Sequence, residues 1–167
     1  FLRLHKNISS SERDTLKSKF RKIINNIKGI FTKQELEASA YSKRTHFISL
    51  FLAVGLVIPN HYILGEARRL KKDLFRFIEN PPEKYKESVL GGIRQKAARE
   101  KRVSFFQHFI LKRAKKLDEK RNFDQSLKHK FWRKYNHRCQ ICKKEIKSYR
   151  EATLDHIEPW AKGGKTE

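Results

Sequence analysis

The sequence predicts a mainly α-helical protein that ends in a short segment without a helical pattern. Apolar side chains recur every three or four residues between residues 9 and 137, the spacing that places them on one face of a helix. From Asn136 onwards this periodicity stops, and a knuckle, a short strand, a turn and a second short strand are expected. We therefore predict a basic helical domain or connector at residues 1–130 and a separate module at residues 131–167.

The first two helices are expected to begin at capping boxes, in which a hydroxyl and a carboxylate three residues apart satisfy free backbone N–H groups. The two motifs are Ser9-x-x-Glu12 and Thr32-x-x-Glu35. Gly29 is the predicted end of the first helix, since glycine commonly follows the last helical turn. The second helix is predicted to end near Ile58-Pro59.

Four further helices are predicted. One covers residues 61–79, buries Leu64, Leu70, Leu74, Phe75 and Ile78, and ends at Asn80-Pro81-Pro82. A weaker helix at residues 83–100 is interrupted at Gly91-Gly92, residues 101–117 carry a strong apolar stripe, and a last short helix follows Ser126. The aromatic side chains of these helices are expected to pack in a core rather than to stack on bases.

The longest apolar run, from Phe47 to Ile58, is predicted to be a buried core helix. It has twelve residues, whereas a helix that crosses a membrane needs about 20. No secretory signal is visible at the N-terminus. The two cysteines are Cys139 and Cys142, so no disulfide framework is expected, and we predict a cytoplasmic protein without a membrane partner.

The net charge of +22 favours a polyanionic partner, although charge alone does not name which one. The stretch from Arg94 to Arg138 holds sixteen basic residues against four acidic ones. A membrane surface or a ribosome would attract such a charge equally well, and a single basic stretch is often only a solvated helix face. The residues predicted to contact nucleic acid are Lys112, Arg113, Lys115, Lys116, Arg133, Lys134, Lys162 and Lys165.

Cys139 and Cys142 form a C-x-x-C motif, whose spacing lets two thiolates bind one tetrahedral Zn²⁺. Two cysteines supply only half of a structural zinc site. His137 is a candidate third ligand, although a histidine beside such a motif is often an incidental neighbour. The alternative is a pair of ordinary thiols.

Asp155 and His156 are the candidate catalytic pair. A carboxylate oxygen is a hard ligand suited to Mg²⁺ or Mn²⁺, which neutralise charge on a scissile phosphate. An imidazole titrates near neutral pH and can accept a proton from an attacking water. Because neighbouring residues on a strand point to opposite faces, the two groups act together only where the strand bends or ends. Pro159 and Gly163-Gly164 supply that irregularity.

The whole string resembles the HNH endonuclease family, in particular the zinc-knuckle branch found in restriction enzymes. It runs from Cys139-x-x-Cys142 through Asp155-His156-Ile157-Glu158-Pro159 to Gly163-Gly164-Lys165-Thr166, within residues 131–167. The resemblance implies the front half of a ββα-metal module. It also implies that Asp155 is a ligand of the catalytic Mg²⁺ or Mn²⁺ and that His156 is the general base. Cys139 and Cys142 would then be the first pair of a four-cysteine structural Zn²⁺ site.

The family pattern continues with an asparagine, a second C-x-x-C motif and a final histidine or asparagine ligand, which do not lie in this sequence. The sequence also has no methionine, so we expect an internal fragment with a truncated module that is inactive as a nuclease by itself. A fainter resemblance, carried by residues 1–7 and 105–123, is to proteins in which a ParB-like domain precedes an HNH module. It implies a missing N-terminal ParB-like domain and a role in restriction or phage defence.

The predicted function is therefore that of part of a metal-dependent DNA endonuclease that hydrolyses phosphodiester bonds. The alternative is a non-catalytic nucleic-acid-binding helical module with a structural zinc knuckle. A third reading is a structural or regulatory helical domain that merely adjoins a nuclease.

Overall fold

The structure, a computed structural model, describes residues 8–90 and 95–166. The chain divides into two compact units, Phe1–Lys115 and Lys116–Glu167. This geometric division falls earlier than the boundary at residue 130 that the sequence pattern predicts, and the functional boundary stays a prediction. The fold class is confirmed, since most of the described residues lie in helices and the strands are two residues long.

The described part of the first unit is built from helices joined by short turns. These are α1 (Ser10–Ile30), α2 (Lys33–Glu37), α3 (Arg44–Val57), α4 (Ala67–Glu79), α5 (Glu83–Leu90) and α6 (Lys96–Arg113), with 3₁₀ turns at Ala40–Ser42 and Leu64–Glu66. Strand β1 (His61–Tyr62) pairs with β2 (Lys115–Lys116), where the first unit ends. The second unit contains α7 (Gln125–Lys134) and a 3₁₀ turn at Trp160–Lys162.

Both predicted capping boxes are confirmed. Ser9 accepts a hydrogen bond from the Glu12 backbone N–H, and the Glu12 carboxylate accepts one from Ser9 N at 2.8 Å. Thr32 and Glu35 make the same reciprocal pair at the start of α2. These bonds satisfy backbone donors that the first turn of a helix leaves free.

The core of the first unit lies where α3 and α6 pack together. Leu50, Ala53 and Val54 of α3 are fully buried, which confirms that the run from Phe47 to Ile58 is a core helix. Phe106 of α6 is fully buried, and its ring lies within 6.0 Å, centroid to centroid, of aromatic rings on three other elements. Phe106 and the aromatic residues around it therefore serve packing. No helix among the described residues is long and apolar enough to cross a membrane.

Gly29 does not end the first helix, contrary to prediction. Helix α1 continues to Ile30, and a Cβ atom on Gly29 would lie 2.2 Å from Cδ2 of Leu64, so the glycine makes room for a packed side chain.

Leu16 and Phe20 share the apolar stripe of this helix but are 53% and 56% exposed. Leu64 is 39% exposed, so its predicted burial is wrong.

The single helix predicted from Thr32 to Ile58 is divided into α2, a 3₁₀ turn and α3. Ser39 accepts a hydrogen bond from Tyr41 N and donates one to Leu36 O, and such bonds compete with the helical ladder. The buried Tyr41 hydroxyl donates to Leu74 O at 2.9 Å, which holds the turn against α4. Tertiary packing therefore overrides a continuous helix at this point.

Other helices also begin or end at residues different from those predicted. The helix predicted at residues 61–79 starts with β1 and a 3₁₀ turn, and the one predicted at 101–117 starts at Lys96 and ends at Arg113. The last helix is capped by Asp124 rather than preceded by Ser126. The two strands expected after Asn136 are reduced, in the described residues, to one antiparallel bridge between Arg138 and Glu145. The predicted break at Gly91-Gly92 lies outside the described residues.

Candidate functional site

Helix α7 and the turn after it position the cysteine motif. Asn136 and His137 adopt left-handed backbone conformations, with φ of 48° and 61°, and thereby end the helix and reverse the chain. The returning chain packs on Trp132: the His137 ring stacks on the indole at 3.6 Å between centroids. The indole Nε1 donates to Ile146 O at 2.7 Å. One tryptophan thus fixes both ends of the cysteine turn.

Cys139 and Cys142 lie in a turn that backbone hydrogen bonds close. Cys139 N donates to Lys144 O and Lys143 N donates to Cys139 O, both at 2.9 Å. Both cysteines are free thiols, Cys139 half-buried and Cys142 exposed. Hydrogen bonds from the backbone N–H groups of Cys142 and Ile141 lower the pKa of Cys139. The turn therefore favours a thiolate, which is the form that binds metal.

The cysteine turn fits half of a tetrahedral zinc site. It presents two soft sulfur ligands on one short loop, as a structural zinc requires. His137, the candidate third ligand, stacks on Trp132, and this packing accounts for its position. Within residues 8–90 and 95–166, no group of three or more His, Cys, Asp or Glu side chains is arranged to hold a metal ion.

The two glycines that follow Trp160 close a tight turn. Gly163 has φ of 94°, a conformation that glycine adopts without steric cost. A Cβ atom on Gly164 would lie 1.7 Å from Glu158 O, so no larger residue fits this backbone. Gly164 N donates to Pro159 O at 3.2 Å. This turn brings Thr166 back towards His156.

Asp118 holds the end of the turn in place. Its carboxylate accepts from Thr166 N at 2.8 Å and from Lys120 N at 3.0 Å, and its backbone carbonyl accepts from Trp160 Nε1 at 3.0 Å. The backbone N–H of Thr166, and then that of Lys120, lower the pKa of Asp118. The carboxylate is consequently kept ionised as an acceptor.

His156 is half-buried and its ring contacts Thr166 and Phe123, whereas Asp155 is exposed. His156 Nε2 lies 2.9 Å from Thr166 Oγ1, and the ring of Phe123 lies 4.6 Å from the imidazole, centroid to centroid. The Asp155 carboxylate accepts from His156 N at 2.8 Å. Asp155 and His156 lie in irregular backbone just before a bend at residues 157 and 158. Their side chains are therefore not held on opposite faces of a strand.

Asp155 fits a hard divalent cation by its chemistry. One of its oxygens takes the short backbone hydrogen bond from His156, and an ionised carboxylate has further lone pairs to offer a cation. Exposure leaves the carboxylate accessible to an ion that also keeps several water ligands, as Mg²⁺ does. Asp155 is thus able to supply one ligand.

The basic residues predicted to contact nucleic acid are distributed over both units. Lys112 and Arg113 end α6, but Arg113 is paired with Asp73, Nε to Oδ2, at 2.7 Å. In the second unit Lys116 is paired with Glu119 at 2.8 Å. Arg133 and Lys134 are exposed on the last turn of α7, and Lys162 and Lys165 are exposed beside the glycine turn. The ion pairs leave Arg113 and Lys116 less able to contact phosphate than the exposed residues of α7.

Comparison with known proteins identifies the class of this segment. Residues 139–167 match the family model of HNH endonuclease. No curated protein and no solved structure matches the chain. The resemblance to the HNH family is therefore confirmed for this segment, which begins at the cysteine turn and includes Asp155, His156 and the glycine turn.

The match suggests a nuclease-type function for residues 139–167, in a family that generally uses divalent metals. No comparison supports a ParB-like domain. The residues at 1–7 that carried part of that resemblance lie outside the described residues.

Sequence reasoning missed Asp118 and the role of Thr166. Asp118 accepts from the backbone two residues later, and this Asx turn is a recognisable signature of an aspartate in a loop. Its bonds to Thr166 N and Trp160 Nε1 join residues more than forty positions apart, and no local pattern predicts such contacts.

Proposed function

We propose that the chain is part of a metal-dependent DNA endonuclease of the HNH type, acting in the cytoplasm in restriction or phage defence. The observation that carries this proposal is the matched segment, in which a half-buried histidine adjoins an exposed carboxylate. The likeness of the same string to the zinc-knuckle branch supports the restriction role.

His156 is proposed as the general base. Its imidazole accepts a proton from a water molecule while the water oxygen forms a bond to phosphorus. The ester P–O bond breaks, and the leaving oxygen takes a proton from solvent. The contacts to Thr166 and Phe123 fix the ring, so that little reorganisation precedes proton transfer.

Asp155 is proposed as a ligand of Mg²⁺ or Mn²⁺, and Cys139 and Cys142 as ligands of a structural Zn²⁺. When bound, the divalent ion neutralises charge that develops on the scissile phosphate. The short bond from His156 N orients the Asp155 carboxylate, and the backbone bonds to Cys139 favour its thiolate.

The DNA backbone is proposed to lie along the basic residues of the second unit. Arg133, Lys134 and Lys162 are exposed and close in sequence to the cysteine and glycine turns, which favours contacts to phosphate near the scissile bond. Lys165, Lys112 and Lys115 are further candidates, while Arg113 and Lys116 already serve ion pairs. The nuclease module is proposed to cover residues 131–167. The Asp118–Lys120 segment would stabilise it, because the Asp118 carboxylate accepts a hydrogen bond from Thr166 N.

The test is nicking of supercoiled plasmid by the full-length protein in Mg²⁺ or Mn²⁺, beside His156→Ala. Loss of a general base costs about 10²–10⁴-fold in rate. We expect that loss in His156→Ala and unchanged cutting by His108→Ala, a matched control whose exposed histidine lies on α6. DNA binding, measured by filter retention, should be the same for all three proteins.

Two results would overturn the proposal. Equal cutting by the native protein and His156→Ala would assign the chemistry to another site. Binding without cutting, across both metals and with modified as well as unmodified DNA, would favour the non-catalytic nucleic-acid-binding module.

A further inference from the structure

The Thr166 hydroxyl lies between two groups that restrict where its proton can be. Its Oγ1 is 2.5 Å from the backbone carbonyl oxygen of Lys120 and 2.9 Å from Nε2 of His156. A carbonyl oxygen only accepts hydrogen bonds, and a hydroxyl has one proton to donate. The Thr166 proton is therefore donated to Lys120 O, since two oxygen acceptors at this distance would otherwise repel each other.

This assignment determines which nitrogen of His156 carries a proton. With its own proton engaged, Thr166 Oγ1 can only accept, so His156 Nε2 must donate to it. A neutral imidazole has one N–H group. Nδ1 then carries the lone pair and is the nitrogen able to take a proton from water.

Thr166 is held in this position by contacts other than the one to His156. Its backbone N–H donates to the Asp118 carboxylate at 2.8 Å, and the same carboxylate accepts from Lys120 N at 3.0 Å. Asp118 thus fixes both the hydroxyl and the carbonyl that receives its proton. The Phe123 ring lies on the imidazole and limits its rotation.

We propose that Thr166 is a positioning residue that holds His156 in the Nε2–H tautomer through a relay from the Lys120 carbonyl. The catalytic consequence rests on the proposed function, because it requires His156 to act as the base at Nδ1. As Nδ1 gains a proton, the Nε2–H···Oγ1 bond becomes charge-assisted and strengthens, with the Lys120 carbonyl polarising the hydroxyl. Removal of an outer-shell partner that orients a metal-ligating histidine typically costs about 10- to 100-fold in metal affinity or activity, and we expect a loss of activity of that size here.

The first measurement is the tautomer itself, by long-range ¹H–¹⁵N correlation on the full chain with labelled histidine, at a pH where the imidazole is neutral. The signals of His156 are identified by their loss in His156→Ala. We expect Nε2 to be protonated in the native chain and in Thr166→Ser, which keeps the hydroxyl. Thr166→Val keeps the shape without the hydroxyl, and we expect a mixture of tautomers there.

Cleavage by the same variants of the full-length protein, which is used because this chain alone is expected to be inactive, separates the relay from the proposed function. We expect Thr166→Val to lower kcat by about 10- to 100-fold with little change in KM, and Thr166→Ser to restore the rate. A native-like tautomer in Thr166→Val would overturn the relay. A shifted tautomer with unchanged kcat would overturn its catalytic role. A shifted tautomer in a protein that cuts no DNA would support the relay and overturn the proposed nuclease function.

Discussion

Residues 8–90 and 95–115 bury eighteen hydrophobic side chains in one cluster, whereas the described residues of the second unit bury two, Leu117 and Ala152. The first unit is stabilised by packing between helices. The second is held by a stack on Trp132, a cysteine turn and the polar contacts of Asp118. Polar contacts of this kind contribute little net free energy each, because unfolding returns the same groups to water.

A unit with so small a core usually depends on an additional constraint, such as a structural metal. The cysteine turn is the place in the second unit where such a constraint would act. We therefore expect polar substitutions in the second unit that disrupt the site to leave the stability of the helical unit unchanged. Both tryptophans, Trp132 and Trp160, lie in the second unit, so their fluorescence reports on it, while ellipticity reports mainly on the helices of the first.

The largest effect is expected from Phe106→Ala. This fully buried side chain packs against aromatic rings on other elements, and its removal should cost about 3–5 kcal/mol of unfolding free energy. In urea titrations the ellipticity transition should shift far more than the tryptophan fluorescence transition. Leu111→Ala, at a 42% exposed position on the same helix, should change stability by under about 0.5 kcal/mol. Equal shifts of both signals in Phe106→Ala would show that the units unfold together.

Zinc should stabilise the second unit alone. A ligand that binds only the folded state at a hundredfold excess over its Kd adds about 2.7 kcal/mol. We expect Zn²⁺ to raise the midpoint of the fluorescence transition and to leave the ellipticity transition unchanged. The double variant Cys139→Ser, Cys142→Ser should abolish the effect. The same stabilisation in that variant would assign zinc to other ligands.

Alanine in the glycine turn should damage the second unit and spare the first. Gly164→Ala forces a Cβ atom against Glu158 O, and overpacking of this kind costs about 1–3 kcal/mol. Gly163→Ala requires a left-handed alanine, at about 1–2 kcal/mol. The control is Ala161→Ser, an exposed position in the same turn. Unchanged fluorescence transitions in both glycine variants would contradict the tight turn.

Lowering the pH should produce the smallest change in unfolding free energy, and it should affect both units. Hydrogen bonds lower the pKa of Asp73, chiefly from Arg113, and of Asp118, chiefly from Thr166 N. A carboxylate with a lowered folded-state pKa stabilises the protein above its unfolded pKa of about 4, and this contribution is lost as pH falls through the folded value. Asp118→Asn should weaken the pH dependence of stability measured by the fluorescence transition only. Asp73→Asn should weaken the pH dependence measured by the ellipticity transition only. If Asp118→Asn changed only the ellipticity transition and Asp73→Asn only the fluorescence transition, the assignment of the two carboxylates to separate units would be wrong.

Local sequence patterns predicted the features that depend on a few neighbouring residues. Ser9 and Thr32 form their capping boxes because the partner carboxylate lies three residues away, within one helical turn. The run from Phe47 to Ile58 forms a core helix whose inner face, with Leu50, Ala53 and Val54, is buried, because an apolar segment of that length has few other stable environments in water. The match of residues 139–167 to the HNH family follows from order and spacing alone.

Features that depend on distant residues could not be predicted in this way. Gly29 looked like a helix end, but it is a space for Leu64, and nothing within its own helix indicates that neighbour. The helix expected between Thr32 and Ile58 is interrupted because buried Tyr41 reaches Leu74 O. The sequence shows Thr166 only as the last residue of a motif, whereas in the fold Asp118 and Lys120 accept its hydrogen bonds.

The sequence by itself determined the helical fold class, the caps and the resemblance of residues 139–167 to the HNH family, because these depend on residue type and short spacing. Only the tertiary structure decided that the Thr166 backbone N–H donates to Asp118 and that the Thr166 hydroxyl donates to Lys120 O. The physical reason is that a hydrogen bond between segments forty or more residues apart depends on how the whole unit closes, and the packing of many side chains sets that closure.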